Sequence, residues 1–398
     1  MGDDAIRTVS DEERRARLAV RHGLAGEHRP ASVDDAVAAM TCLHATEPAS
    51  VYLSAHARTG ATRAQIAHAL YEERAVVLQL AMRRTVFAFP RDLLPAVHGS
   101  AAARVAKQIG ARLAKEVETH GLAADGPEWV AETCAAVRER LRDGAATTQE
   151  LREALPALAL RIDVAPGKRY GGDIPIGPRV LGVLAADGSV VRGRPASGWK
   201  VSRPYWTLAE EWLGAEPERL PEREGYAELV RRWLWSFGPG TEDDLVWWLG
   251  ATKGAVRRAL ADVGATPVRL ADGAPAFLRP DDTAEVAAPA PWAALLPALD
   301  PTTMGWKRRD FYLGDLGPQL FDRNGNAGPT AWWDGRIVGG WTQDDTGQVV
   351  VVPAGPLPDA AHDALESEAA RLTAWLDGDV VRSIYQSPLA RAHAAGGG

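Results

Sequence analysis

The sequence predicts an α+β fold of three tandem winged-helix units, each a helix-turn-helix plus a β-hairpin, followed by a small C-terminal β-domain. Two observations predict it. One order of elements occurs three times: helices, then a helix closed by a small residue, then two short β-rich runs. Beyond residue 284 the pattern changes to β-rich runs broken by tight turns, with one amphipathic helix near the end. A chain of 398 residues exceeds one ordinary core, so modules are expected at 1–120, 121–215, 216–283 and 284–398.

In the first unit, helical patterns at 11–23, 32–43, 50–58 and 62–73 precede β-rich runs at 76–82 and 85–89, with Thr62 placed to cap the last helix. A long Ala-rich helix, 91–119, leads through 121–127 into the second unit. There, helices at 127–142, 148–155 and 177–186 are followed by strands 190–194 and 199–206, joined by the turn Pro195-Ala196-Ser197-Gly198. The third unit is an amphipathic helix over 222–237, a break at Gly238-Pro239-Gly240, helices at 241–249 and 253–263, and a hairpin turning at Asp272-Gly273. Helix-turn-helix plus hairpin is the winged-helix plan, whose last helix lies in or over a groove, so double-stranded DNA is the expected partner. Residues 284–291 read as a linker, 321–352 as antiparallel strands, 359–376 as a helix packed on them, and 394–398 as a frayed end.

Two cysteines, Cys42 and Cys134, form neither a disulfide framework nor a zinc pattern. No apolar run reaches the ~20 residues of a membrane span, and the first ten residues lack an apolar signal core, so a cytoplasmic protein is expected. The net charge of −7 argues against indiscriminate coating of nucleic acid. Basic clusters nevertheless stand out locally, such as Arg83-Arg84 and Lys307-Arg308-Arg309. Phosphate-binding and dinucleotide-binding glycine loops are missing, as are the GxSxG and HExxH motifs. Neither metal nor organic cofactor is implied. One polar cluster remains, Leu43-His44-Ala45-Thr46-Glu47-Pro48, at the end of an otherwise apolar helical pattern.

That cluster and several other stretches resemble the winged-helix DNA glycosylases of the AlkZ/YcaQ-like family. The similar stretches include Met82-Arg83-Arg84-Thr85, Ser202-Arg203-Pro204-Tyr205-Trp206, Leu299-Asp300-Pro301, Met304-Gly305-Trp306-Lys307-Arg308 and the run from Asp334 to Trp341. The family carries Gln-x-Gln or Gln-x-Asp to hold the attacking water. Here His44 and Thr46 stand at those two positions, a divergent His-x-Thr form. The resemblance implies a monofunctional glycosylase that removes N-alkylated purines, either bulky N7-alkylguanine adducts or interstrand crosslinks, in repair or in self-protection against a genotoxin.

A neutral imidazole can accept a proton from water, and a hydroxyl can orient that water. Glu47 is the third candidate, as negative charge facing a developing cation or as a cap for the helix that starts at Pro48. Asp300 reads as a buried turn aspartate. Phosphate contacts are expected from Arg83, Arg84, Arg203, Lys307, Arg308 and Arg309, and a groove wedge from Trp306. No dimerisation helix stands out, so a monomer is expected. The alternative is a non-catalytic winged-helix DNA-binding protein, a regulator or lesion sensor.

Overall fold

The computed structural model describes residues 6–164 and 172–396. In chain order, strand β1 (Thr8–Val9) is followed by helices α1 (Asp11–Arg21) and α2 (Val33–Ala39), strand β2 (Leu43–His44), and helices α3 (Pro48–Thr59) and α4 (Arg63–Tyr71). Next come β3 (Val76–Ala81), β4 (Thr85–Pro90), α5 (Leu94–Val97), α6 (Ala103–Thr119), α7 (Gly126–Arg142), α8 (Thr148–Ala154), β5 (Arg161–Val164), β6 (Gly172–Pro175), α9 (Gly177–Asp187), β7 (Val190–Pro195), β8 (Pro204–Leu208) and α10 (Ala209–Leu213). The remainder is α11 (Glu222–Phe237), α12 (Glu242–Leu249), α13 (Lys253–Val263), β9 (Thr266–Leu270), β10 (Pro275–Leu278), β11 (Ala293–Leu296), α14 (Pro301–Met304), α15 (Asp310–Leu313), α16 (Gly317–Leu320), β12 (Thr330–Trp333), β13 (Arg336–Gln343), β14 (Val349–Pro353), α17 (Asp359–Leu376) and α18 (Pro388–Gly396).

The chain forms two compact units, one of residues 1–76, 88–90 and 227–398, the other of 77–87 and 91–226. In the first unit, α12, α13 and the β9–β10 hairpin form one module. Thr241 caps α12 in a reciprocal capping box with Asp244, and Gly264 ends α13 in the left-handed conformation. The hairpin turn fits its residues, with Gly273 at φ 82° and the Asp272 side chain accepting the Ala274 N–H at 3.0 Å. An additional strand comes from far away in sequence: β1 pairs in parallel with β9, Val9 opposite Leu270. The C-terminal sheet of the same unit has the order β11-β12-β13-β14, all antiparallel. Helix α17 buries Leu365, Leu372 and Leu376. The end expected to fray is helical as far as Gly396, and its last two residues lie outside the described part.

The second unit has its own core, built from Val137, Leu141, Leu151, Ile162, Leu181 and Leu184 among others. The β7–β8 hairpin follows α9, its second strand starting at Pro204 rather than at 199 because residues 196–203 form the connecting loop, and a further hairpin, β5–β6, precedes α9. Strands β3 and β4 meet at a tight turn in which the Thr85 N–H bonds the Met82 carbonyl. Among the described residues no helix is long and apolar enough to cross a membrane.

Candidate active site and nucleic-acid interface

Helix α2 stops at Ala39, four residues before the end of the expected helix, so the His44-x-Thr46 pair does not sit on a helix terminus. The chain turns at Thr41, which is fully buried with φ 62° and whose hydroxyl meets Ser236 Oγ at 2.9 Å. A β-branched residue in the left-handed region is strained, and the buried hydroxyl contact is what compensates for it here. The turn redirects the chain into β2, which pairs with β4. His44 lies on that strand with 8% exposure, Ala45 is buried, Thr46 is exposed and Glu47 is half-buried.

Pro48 opens α3, and Glu47 occupies its N-cap position without capping it. The carboxylate is used elsewhere. Ser383 Oγ donates to Glu47 Oε2 at 2.7 Å, and the Ile384 N–H donates to Oε1 at 2.6 Å. Glu47 also lines a cleft of about 220 Å³ with Ser50, Leu53, Ala298, Trp341 and Ser383, among others. His44 and Thr46 do not line it.

Beneath this segment a fully buried polar network holds α3 to the 297–302 turn. Asp300 and Arg58, both 0% exposed, form a bidentate pair with Nη1–Oδ2 at 2.9 Å and Nη2–Oδ1 at 2.8 Å. Ser54 Oγ and the Thr302 N–H also donate to the carboxylate, at 2.6 and 2.9 Å. Burial raises the Asp300 pKa, but the Arg58 charge and these donors outweigh it, leaving the carboxyl below its ordinary value. His22 completes the network, Nδ1 facing Thr302 Oγ1 at 3.0 Å and Nε2 facing the Ser236 carbonyl at 2.9 Å. A carbonyl can only accept, so Nε2 carries the proton and Nδ1 receives the Thr302 hydroxyl. Burial, helped by the Arg58 charge, pushes the His22 pKa down to about 3 and keeps the ring neutral.

The expected phosphate contacts divide into two groups. Arg83 and Arg84 form the β3–β4 turn, at φ 56° and 60°. Two consecutive positive φ values suit Asn-Gly, so two arginines there hold the turn at a cost of ~1–2 kcal/mol each. Arg84 is exposed and Arg83 half-buried. Arg203 is exposed at the start of β8, and Lys307 is exposed near Asp243. Arg308 pairs with Asp272, while its backbone N–H and that of Lys307 both donate to Asp244 Oδ1 at 2.9 Å.

Arg309 and Trp306 make contacts within the protein, Trp306 buried and Arg309 half-buried. The Arg309 guanidinium lies over the Trp247 and Phe321 rings, at 5.1 and 4.7 Å, and bonds the Trp306 carbonyl at 2.8 Å. Trp306 is 3% exposed, donates Nε1–H to the Phe237 carbonyl at 2.9 Å and packs edge-on against Phe237 and Phe311. The neighbouring glycine, which reads as a loop residue in the sequence, permits that packing: a Cβ on Gly305 would stand 2.3 Å from the Phe237 ring.

Two members of the site escape sequence reading. Ser383 lies 336 residues from Glu47, and nothing local marks it. Arg58 leaves a signal, a guanidinium in the last turn of a helix whose residues 49–58 are all buried. Among the described residues no group of His, Cys, Asp and Glu side chains is placed to hold a metal ion.

A comparison with curated proteins finds no match. Among solved structures the chain resembles the Streptomyces sahachiroi DNA glycosylase AlkZ, with a TM-score of 0.73 and 22% identity over 94% of this chain and 98% of that one. The likeness extends the shared fold over both units. The family model described as DNA glycosylase AlkZ-like matches residues 37–375, which include the His44-x-Thr46 segment, the Arg83-Arg84 turn and the Arg58–Asp300 pair. The chain therefore belongs to the AlkZ-like DNA glycosylase family.

Proposed function

We propose that the protein is a monofunctional glycosylase that hydrolyses the N-glycosidic bond of N-alkylated purines in duplex DNA, with bulky N7-alkylguanine adducts or crosslinks as substrates. The helix–helix–hairpin modules are read as winged helices, and the protein as a monomer acting in repair or in self-protection. The observation that carries this reading is the placement, in a chain of this family, of an exposed Thr46 between His44 and a Glu47 whose two oxygens are both fixed.

A purine alkylated at N7 is already cationic, so its departure needs little protonation. The His44 imidazole accepts a proton from a water that Thr46 orients, as the water oxygen bonds to C1′ of the sugar. The electron pair of the breaking C1′–N9 bond neutralises the leaving base. Glu47 offsets the positive charge that builds on the sugar. The products are the free alkylpurine and an abasic site.

The test is incubation with duplex DNA carrying an N7-alkylguanine or a crosslink, followed by hot alkali to break abasic sites. Wild-type protein should yield strand breaks. His44→Ala should abolish them with duplex affinity nearly intact. No cleavage over a panel of adducts, with duplex binding retained, would identify a non-catalytic DNA-binding protein instead.

A further inference from the structure

Trp306 is a core residue, and a different apolar side chain faces outward beside Glu47. Ile384 is 79% exposed, whereas Ile6, the next large hydrophobic residue among those described, is 48% exposed. A lone exposed isoleucine is ordinary on a protein surface. The backbone carrying this one is not. Residues 379–387 contain neither helix nor strand, yet they are tied down at successive points. The Gln343 amide donates to the Asp379 carbonyl at 3.0 Å and accepts the Val381 N–H at 2.7 Å. Ser383 Oγ bonds Glu47 and receives the Tyr385 N–H at 3.0 Å, and Ile384 donates its own N–H to Glu47. Backbone packs closely behind the loop, where a Cβ on Gly328 would lie 2.9 Å from the Tyr385 carbonyl oxygen. A fixed loop thus holds one branched apolar side chain out to solvent, with the exposed Arg382 two residues before it.

We propose that Ile384 is an apolar wedge that enters the base-pair step beside the damaged nucleotide, with Arg382 on the neighbouring phosphate. The proposal rests on the glycosylase reading above for the identity of its DNA. Branched apolar side chains open base steps in this way, since burying them between bases offsets part of the lost stacking. Because the Glu47 carboxylate grips the wedge's own backbone, inserting Ile384 sets the 44–47 segment against the adjoining sugar.

The test uses the full chain and a duplex with N7-methylguanine next to 2-aminopurine, whose emission rises on unstacking. Wild-type protein should raise emission several-fold on binding. Ile384→Ala should remove the rise and slow single-turnover excision by about tenfold or more, with an unchanged melting curve, and Ile384→Leu should restore both. Arg382→Ala should lower the salt slope of binding by about one. Retention of the full rise by Ile384→Ala would overturn the wedge, as would wild-type protein that excises base with no rise. Wild-type protein that raises emission but releases no base from any adduct would support the wedge and overturn the glycosylase reading. Failure to bind the duplex would overturn both.

Discussion

Asp300→Ala should be among the most damaging single substitutions in the first unit, and the structure supplies the magnitude. The carboxylate accepts four hydrogen bonds, two from Arg58, one from Ser54 and one from the Thr302 N–H. Removing it leaves a guanidinium at 0% exposure with only the Ser54 carbonyl and the Thr302 hydroxyl as acceptors. Breaking one side of a buried pair costs ~3–5 kcal/mol, because the other charge stays desolvated and unopposed. Taking both charges away is a different perturbation. Arg58→Met with Asp300→Leu removes the uncompensated charge and should cost less than Asp300→Ala alone, chiefly the ~1 kcal/mol of the lost cap on α14. Urea unfolding followed by tryptophan fluorescence at neutral pH measures all the variants. A loss below ~1 kcal/mol for Asp300→Ala, or a double variant that loses the sum of the singles, would refute the account. A further variant decides what Asp300 does in the reaction. Asp300→Asn, assayed well below its melting temperature, should keep its excision rate per folded molecule if the residue is structural.

Acid should destabilise the protein through its buried histidines. His22 is held at about 3, and His56 and His98 at about 4, mainly by burial, with Arg58, Arg371 and Arg219 as the respective next causes. These folded values lie below the reference of ~6.5, so the unfolded chain protonates first. Stability is therefore complete above pH ~6.5 and falls as pH drops toward 4, with His22 alone worth ~5 kcal/mol at full expression. Melting temperatures that stay level from pH 7 to 4.5 would contradict this. Trp306→Ala should cost ~3–5 kcal/mol in urea unfolding and leave the salt dependence of DNA binding unchanged. Arg84→Ala, Arg203→Ala and Lys307→Ala should each reduce the slope of log K against log salt by about one, read by anisotropy at several salt concentrations. Arg309→Ala should lower the melting temperature and leave that slope alone.

Where structure is decided within a few residues, it was legible in the sequence. The Asp272-Gly273 hairpin, the Thr241 cap and the span of α17 follow from turn chemistry, capping and helical period, each satisfied locally. Where a distant partner decides, the sequence misleads. Apolar periodicity continues through Met40 and Cys42, but Thr41 leaves the helix where its hydroxyl meets that of Ser236, 195 residues away. Strand β1 exists only because β9 lies beside it. The β5–β6 pair has short, mixed strands, and its connecting residues lie outside the described part. Within the candidate site, the family resemblance pointed to His44 and Thr46 and residue chemistry to Glu47, whereas nothing in the sequence marked the loop that fixes Glu47. Lys307 flanking Trp306 suggested a surface, whereas Gly305 marked tight packing against Phe237.

The Arg58–Asp300 pair also sets an order of events during synthesis. Its partners are 242 residues apart in the chain, so at roughly 5–20 residues per second Arg58 leaves the ribosome some 12–48 s before its carboxylate is made. Residues 91–226, which make up nearly all of the second unit, are complete in that interval. The nascent N-terminal helices, by contrast, must remain open or be chaperoned until the last third of the protein arrives to neutralise them.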